Sequence, residues 1–351
     1  MTEAVLLIPC YNGRRCLGDC LQSLLASNDP GIQTRIIIAD NASTDGSADF
    51  IAQEFPAVEL LRLPANLGFT GAINAGWEHA RCKYPNTTYV AVLNQDIIAA
   101  DGWLGALVSH LQQNPSVAGV QPKVLLWPRK ECFNTTGNQS HFLGFGLVTA
   151  YGQIDTGEFN SPREIDFPSG AAAVIRRQAL GDQPLLDNEF FLYLEDAELG
   201  WRLRQLGFRI DYVPSATVWH QYSFHHDYRF YFFLERNRWY LLAMYYKTPT
   251  ILLLLPAILA MEAGQLYFAW RKGVLSQKLK ASAFFFAPGN LSRLLRARRL
   301  AQARRRISDR EFVRNFTANI DLPELQSSVL KNIGNPMLRA YWRLVHPLIF
   351  W

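Results

Sequence analysis

Cysteine is scarce in this chain. Cys10, Cys16, Cys20, Cys82 and Cys132 make an odd set of five with no C-x-x-C pair and no zinc spacing. That argues against a disulfide-built scaffold and points to the cytosol. No basic stretch precedes a long apolar core at the start, where a strand-like run begins at Ala4, so no secretory signal is read there. Asn-x-Thr triplets such as Asn134-Thr135-Thr136 therefore carry no expectation of glycosylation. Charge is ordinary for a globular chain, 19% of residues against 49% hydrophobic, which excludes disordered and fibrous classes. No internal repeat is visible.

A length of 351 residues exceeds what one core usually serves, so two domains, or one with an appendage, are expected. Aromatics are plentiful at 13%, enough to require a large core, a membrane surface, or both. Charge is unevenly placed. Residues 1–230 hold 16 Lys and Arg against 24 Asp and Glu, whereas residues 231–351 hold 19 against 6. An acidic body thus joins a basic, aromatic-rich tail suited to phosphates or an anionic membrane. The expected division is 1–228 and 229–351.

The first 125 residues alternate short apolar runs (Val5–Ile8, Arg35–Ala39, Val58–Leu63, Tyr89–Leu93) with helical patterns at Cys16–Leu25, Ala48–Phe55, Gly71–Ala80 and Trp103–Gln113. This predicts an α/β fold with a mostly parallel sheet flanked by helices, and ligands beyond the carboxyl ends of its strands. Residues 126–165 lose the rhythm and read as an irregular excursion, a lid or acceptor loop. Order returns at Ile165–Phe167, at Ser169-Gly170-Ala171-Ala172-Ala173 and in a helix near Glu195–Leu206.

Four polar clusters follow strand ends: Pro9-Cys10-Tyr11-Asn12; Asp40-Asn41-Ala42-Ser43-Thr44-Asp45-Gly46; Asn66-Leu67-Gly68-Phe69 with Gly71, Asn74 and Gly76; and Asn94-Gln95-Asp96. Singly, each reads as a turn or cap. Further on come Ser169-Gly170-Ala171, Tyr193-Leu194-Glu195-Asp196 leading to Arg202, and Val218-Trp219-His220. In this order and spacing, over residues 4–222, the set resembles the family 2 glycosyltransferases, which have the GT-A fold. Asn-Gln-Asp and Tyr-Leu-Glu-Asp with a hydrophobic tail are most similar to its bacterial rhamnosyltransferase-like branch.

The resemblance implies an inverting enzyme that moves one sugar, rhamnose from dTDP-rhamnose, to a lipid-linked glycan. Pro9, Tyr11, Asn12, Asp40, Asn41, Asn66, Gly68, Asn74, Asn94 and Gln95 would meet the donor nucleotide. Asp40 can accept the N3–H of a pyrimidine base, and Gly-rich loops before helix starts supply N–H groups to the diphosphate. Asp96 and His220 would hold Mg²⁺ or Mn²⁺, although Asn94 replaces the first carboxylate of the family's Asp-x-Asp. Asp196 matches the base, with Glu195 its neighbour, and Gly170 and Arg202 would face the acceptor. Read without the resemblance, Glu195, Asp196 and Glu198 are first-turn acids that pair with Arg202 and Arg204. His225 and His226 read as surface residues.

In the tail, Thr248 to Trp270 carries one charge, Glu262, and two prolines, Pro249 and Pro256, and reads as an interfacial or re-entrant segment rather than a span. Residues 290–310 hold eight arginines (Arg293, Arg296, Arg298, Arg299, Arg304, Arg305, Arg306, Arg310) interleaved with Leu291, Leu294, Leu295 and Leu300. A basic amphipathic helix on anionic lipid, at the cytoplasmic membrane face, is expected; no nucleic-acid module accompanies it. Glu235-Arg236-Asn237-Arg238-Trp239 is similar to the Gln-x-x-Arg-Trp of processive synthases but lacks the Gln, so single addition is expected. Two other readings stay open. A sugar-nucleotidyltransferase would want a Gly-rich, basic phosphate loop where Pro9–Gly13 stands, and a non-catalytic scaffold would fit the Asn94 replacement.

Overall fold

A computed structural model describes residues 2–222, 230–321 and 328–351. The expected boundary at 228, and His225 and His226, lie outside the described residues. The chain forms two compact units, the first comprising Met1–Asn138, Val148–Leu203 and Phe208–Ser223, the second Gln139–Leu147, Arg204–Gly207 and Phe224–Trp351.

Twelve strands are described: β1 (Thr2–Cys10), β2 (Ile32–Asp40), β3 (Glu59–Arg62), β4 (Tyr89–Leu93), β5 (Ile97–Ala99), β6 (Val117–Leu126), β7 (Phe133–Thr135), β8 (Asn138–Ser140), β9 (Gly146–Val148), β10 (Arg163–Glu164), β11 (Ala172–Arg176) and β12 (Arg209–His220). The main sheet runs β10-β12-β6-β11-β4-β1-β2-β3, with β5 on β12 and β7 on β6. Strands β3, β2, β1 and β4 are parallel, β11 is reversed between β4 and β6, and β12 runs parallel to β6. The six long same-direction strands therefore end on one edge. There Cys10 stands level with Asp40, so the first two polar clusters emerge side by side.

Helices α1 (Leu17–Ala26), α2 (Ser47–Glu54), α3 (Gly68–Lys83), α4 (Trp103–Gln113), α5 (Arg177–Leu180) and α6 (Glu195–Gln205) accompany the sheet. Its inner strands are apolar on both faces, as burial on both sides requires. Leu6 and Ile8 join the core of α1 and α4 through Leu21, Trp103 and Leu107, whereas Val5 and Leu7 join that of α3 and α6 through Ile73, Trp77 and Leu199.

Residues 126–165, expected as an irregular excursion, a lid or acceptor loop, are more ordered than that. They contain β7, β8, β9 and β10, and Phe133, Thr136, Phe142 and Leu143 are fully buried. Two- and three-residue strands are too short for an alternation to show in sequence. The small-residue run also gains a role, since Ala172 begins β11 in mid-sheet.

The second unit contains α7 (Tyr231–Tyr245), α8 (Thr248–Arg271), α9 (Leu275–Ala283), α10 (Pro288–Arg304), α11 (Asp309–Phe312) and α12 (Asn335–Val345). A buried charge cluster joins α7, α8 and α9. Lys278 Nζ lies 2.5 Å from Glu235 Oε2 and 2.7 Å from Glu262 Oε2, Arg238 pairs with both acids, and Gln265 bonds to Arg238, Lys278 and Glu235. The processive-like segment is thus structural here. Instead of a re-entrant break, α8 is one helix of 24 residues through Pro256, long and apolar enough by composition to cross a membrane. Its Leu254, Ala257, Ile258 and Ala269 are buried, and Leu252, Leu255, Leu259, Leu266, Tyr267 and Trp270 are exposed. Not every arginine of the basic stretch 290–310 is turned outward. Arg298 donates to the Ala243 and Tyr246 carbonyls, and Arg305 binds Asp309, so both are used internally.

Candidate active site

The strand-end loops are tied to one another mainly by side chains. Gln95 spans from β4 to β1, its Oε1 accepting from Tyr11 N–H (3.0 Å) and its Nε2 donating to Tyr11 O (3.3 Å). A Cβ on Gly13 would meet this amide, so a larger residue there would push Gln95 off its Tyr11 bonds. Asn12, at a left-handed φ of 52°, donates its N–H to Ser43 Oγ, and its Oδ1 accepts from Thr44 N–H. Asn41 links the second and third clusters: Nδ2 donates to Asn66 Oδ1 and Gly68 O, and Oδ1 accepts from Leu67 N–H. Gly68 N–H itself goes to Asn66 Oδ1. Asn41, Asn66 and Gly68 thus build the loop, and the N–H groups expected to serve a diphosphate are engaged within it.

Asp40 differs. It is 4% exposed, one oxygen accepts from Ser43 N–H at 3.3 Å, and Oδ1 has no partner. A buried carboxylate oxygen left unbonded is costly, so this one is poised for a donor from a ligand. Pro9 stands one register step back, opposite Ala39.

Asn94, Asp96 and His220 converge. His220 Nε2 lies 3.2 Å from Asn94 Nδ2 and 3.1 Å from Asp96 Oδ1, and its Nδ1 faces Asn134 Oδ1 at 3.3 Å. Asn134 Oδ1 can only accept and Asn94 Nδ2 can only donate, so the tautomer satisfying both carries its proton on Nδ1. The Nε2 lone pair accepts from Asn94 N–H and also lies beside the Asp96 carboxylate oxygen, so a cation bound there would take that lone pair in place of Asn94. Two acceptors sharing one space suit a cation, and an outward N–H on a backing oxygen is the usual support of a ligating histidine. The pair could supply two protein ligands, and among the described residues no group of three or more His, Cys, Asp or Glu is arranged for a metal. That fits an ion completed by substrate phosphate oxygens and water. Asn134 came from the triplet dismissed as incidental; nothing local in sequence marks it.

The acids stand at the start of α6. Asp196 Oδ2 accepts from Gly170 N–H at 3.3 Å and Oδ1 from Ala197 N–H at 2.7 Å. A Cβ on Gly170 would lie 3.8 Å from the Phe69 ring and 3.9 Å from both Asp196 Oδ2 and Glu195 Oε1, so glycine leaves open space above the carboxylates. Burial raises both acids above the ordinary carboxylate range, and Glu195 is raised further by the neighbouring Asp196 charge. Gly170 also adjoins the histidine cluster, because Ala171 O accepts from Asn94 N–H at 3.0 Å. Gln121, unmarked in sequence, holds this loop by accepting from Ser169 N–H.

Two expected residues take other work. Asn74 is committed to Leu186 and Asn188 rather than to a nucleotide. Arg202 donates to the carbonyls of Pro184 and Leu185 at 2.7 Å and pairs with Glu198, so its guanidinium braces the chain before α6 rather than an acceptor.

An α/β unit with polar loops at the carboxyl edge of its sheet, a buried unpaired acceptor, an Asp–His pair and twin raised acids has the character of an enzyme site rather than of a plain scaffold. The model of the family described as glycosyl transferase family 2 matches residues 5–182, half of the chain. The chain belongs to that family. Among similar curated proteins are an N-acetylglucosaminyl-diphospho-decaprenol L-rhamnosyltransferase of Mycobacterium tuberculosis, 29% identical over 204 residues (53% of this chain, 66% of the relative), and a poly-β-1,6-N-acetyl-D-glucosamine synthase of Staphylococcus aureus, 25% identical over 218 residues (61% and 48%). The matches thus span less than two thirds of each relative's length. The fold is similar to that of GalNAc-T7, solved with UDP, GalNAc and Mn²⁺, at a TM-score of 0.55, 15% identity, and coverage of 71% of this chain and 48% of that one. The first unit has the GT-A fold.

Proposed function

We propose that this chain is an inverting glycosyltransferase that moves one sugar from a nucleoside-diphosphate donor to a lipid-linked glycan, with rhamnose from dTDP-rhamnose as the donor sugar. Asp40 Oδ1 receives the imide N–H of the pyrimidine base, and Tyr11, Asn12 and Gln95 line the nucleotide side. Asp96 and His220 would hold a divalent cation, Mg²⁺ or Mn²⁺, which would supply positive charge for the leaving diphosphate. The acceptor hydroxyl oxygen bonds to the anomeric carbon from the face opposite the diphosphate as the carbon–oxygen bond to the diphosphate breaks. Asp196 takes the hydroxyl proton.

The observation that carries this reading is the Gly170 junction. Its N–H meets the base carboxylate while the next residue is bonded to Asn94, so base and leaving-group ends lie either side of one glycine. The rhamnosyl donor and lipid-linked acceptor draw on the rhamnosyltransferase-like motifs and the mycobacterial relative. A panel of dTDP-rhamnose, UDP-N-acetylglucosamine and GDP-mannose, hydrolysed with Mg²⁺, Mn²⁺ or EDTA, tests donor and metal together. Fastest turnover of dTDP-rhamnose, lost in EDTA, is expected; full activity in EDTA removes the cation from the scheme.

The enzyme works at the cytoplasmic face of an anionic membrane. The exposed α8 stripe inserts, and the exposed Arg293, Arg296, Arg299, Arg304 and Arg306 add about 1 kcal/mol each near the surface, screened by salt. Full-length protein should float with anionic liposomes more strongly than with neutral ones, and Leu259→Asp should weaken both. Failure to bind either makes the stripe a protein interface.

A further inference from the structure

Just ahead of the two acids, the chain holds backbone angles that suit glycine but carries large side chains. Phe191 has φ 58° and ψ −57°, and Leu192 N–H donates to Phe190 O at 2.5 Å, which closes a γ-turn of the uncommon positive-φ kind. Tyr193 and Leu194 follow at left-handed φ of 67° and 61°. Such conformations persist where the surroundings over-determine them, and both flanks are clamped. Upstream, Arg202 holds the carbonyls of Pro184 and Leu185, Asn74 holds Leu186 and Asn188, and Phe190 is fully buried. Downstream, Leu194 O accepts from Glu198 N–H at 2.8 Å and α6 begins.

The turn aims one carbonyl. Phe191 O accepts from Phe69 N–H at 2.8 Å and Thr70 N–H at 3.4 Å, in the first turn of α3. Its ring lies against Gly68, where a Cβ would come within 2.5 Å of it. Phe69, held by that carbonyl, has its ring beside Gly170 together with both carboxylates. The loop built by Asn41, Asn66 and Gly68 and the segment carrying Asp196 therefore share one strained joint.

We propose that Phe191 is a positioning residue whose γ-turn couples the Asn41–Asn66–Gly68 loop, next in chain to the base-binding Asp40, to the placement of Asp196 beneath Gly170. The proposal rests on the reading of Asp196 as base. Turn strain keeps the carboxylates in register with the donor loop, so relaxing it loosens the base without unmaking the nucleotide site.

The test compares wild type, Phe191→Gly, Phe191→Tyr and Asp196→Asn, using dTDP binding, dTDP-rhamnose hydrolysis against pH, and amide hydrogen exchange of residues 188–197 with and without dTDP. Glycine keeps the carbonyl but removes the ring and permits the turn to relax. Phe191→Gly should bind dTDP within about twofold of wild type yet lose roughly 10–100-fold in kcat, the scale of an ångström-sized misplacement. The acid limb of its pH profile should move to lower pH as water reaches the carboxylates. Wild type should show slower exchange over 188–197 when dTDP is present, Phe191→Gly should not, and Phe191→Tyr should restore wild-type behaviour. Wild-type kcat and pH profile in Phe191→Gly, beside an inactive Asp196→Asn, overturns the proposal and leaves the base reading standing. Full turnover in Asp196→Asn overturns the base reading itself. Parallel loss of dTDP affinity and kcat makes Phe191 merely structural and also overturns the proposal. Should Phe191→Gly fail to fold, Phe191→Leu reads the same split.

Discussion

The two units bury carboxylates to similar depth and treat them oppositely. Glu195, 7% exposed at the start of α6, has an oxygen without a partner, and among the described residues no cation pairs with it or with Asp196. Burial raises both, and the Asp196 charge raises Glu195 further. Glu235, 1% exposed on α7, faces Arg238 and Lys278 and is held below the ordinary range because those charges outweigh its burial. One arrangement keeps acids at a cost to the fold, where the proposed reaction needs a base. The other satisfies every charge to pin three helices together. The contrast separates a reactive site from a brace by electrostatics alone.

The largest effect expected is on the reactive side. Asp196→Asn should lower kcat by roughly 10²–10⁴-fold in donor hydrolysis, with donor affinity little changed. Near wild-type turnover would break the comparison outright. On the brace, Lys278→Met leaves Glu235 and Glu262 sharing one cation and should cost about 3–5 kcal/mol in denaturant unfolding. A loss under 1 kcal/mol would mean the cluster admits water.

The sign of the pH dependence sharpens the contrast further. Glu195 is raised in the folded state, so its protonated form favours folding at low pH and that contribution disappears as pH rises. Glu195→Gln should therefore stabilise the protein by about 1 kcal/mol or more at pH 8 and by less at pH 5, read by thermal unfolding. Glu235 is depressed, so its contribution is present above the ordinary carboxylate range and lost as pH falls through it; Glu235→Gln should destabilise at pH 7 and converge on wild type in acid. The smallest effect is in catalysis, where kcat/KM should climb across the mildly acidic range as the raised Asp196 ionises. A flat profile down to pH 4.5 would place the base elsewhere.

What the sequence by itself determined is local. Apolar runs fit for burial on both faces dictate the inner strands, and polar, Gly-rich punctuation at their ends marks where β1, β2 and β4 hand over to loops. Because a parallel sheet aligns those ends, the clusters holding Asp40, Asn94 and Asp96 were legible in the sequence as candidates, whereas Glu195 and Asp196, at a helix start, became candidates only through the family resemblance. Tertiary structure decided whatever depends on contacts between distant residues: that Asn74 and Arg202 clamp the chain before α6, that Asn134 backs His220 from 86 positions away, and that Phe191 is wound into a γ-turn against Gly68. It also decided that Glu262, an apparent flaw in an apolar run, is the counterion of Arg238 and Lys278. Periodicity and turn chemistry are written over a few neighbouring residues; pairings and strain across the chain depend on packing, which no short window encodes.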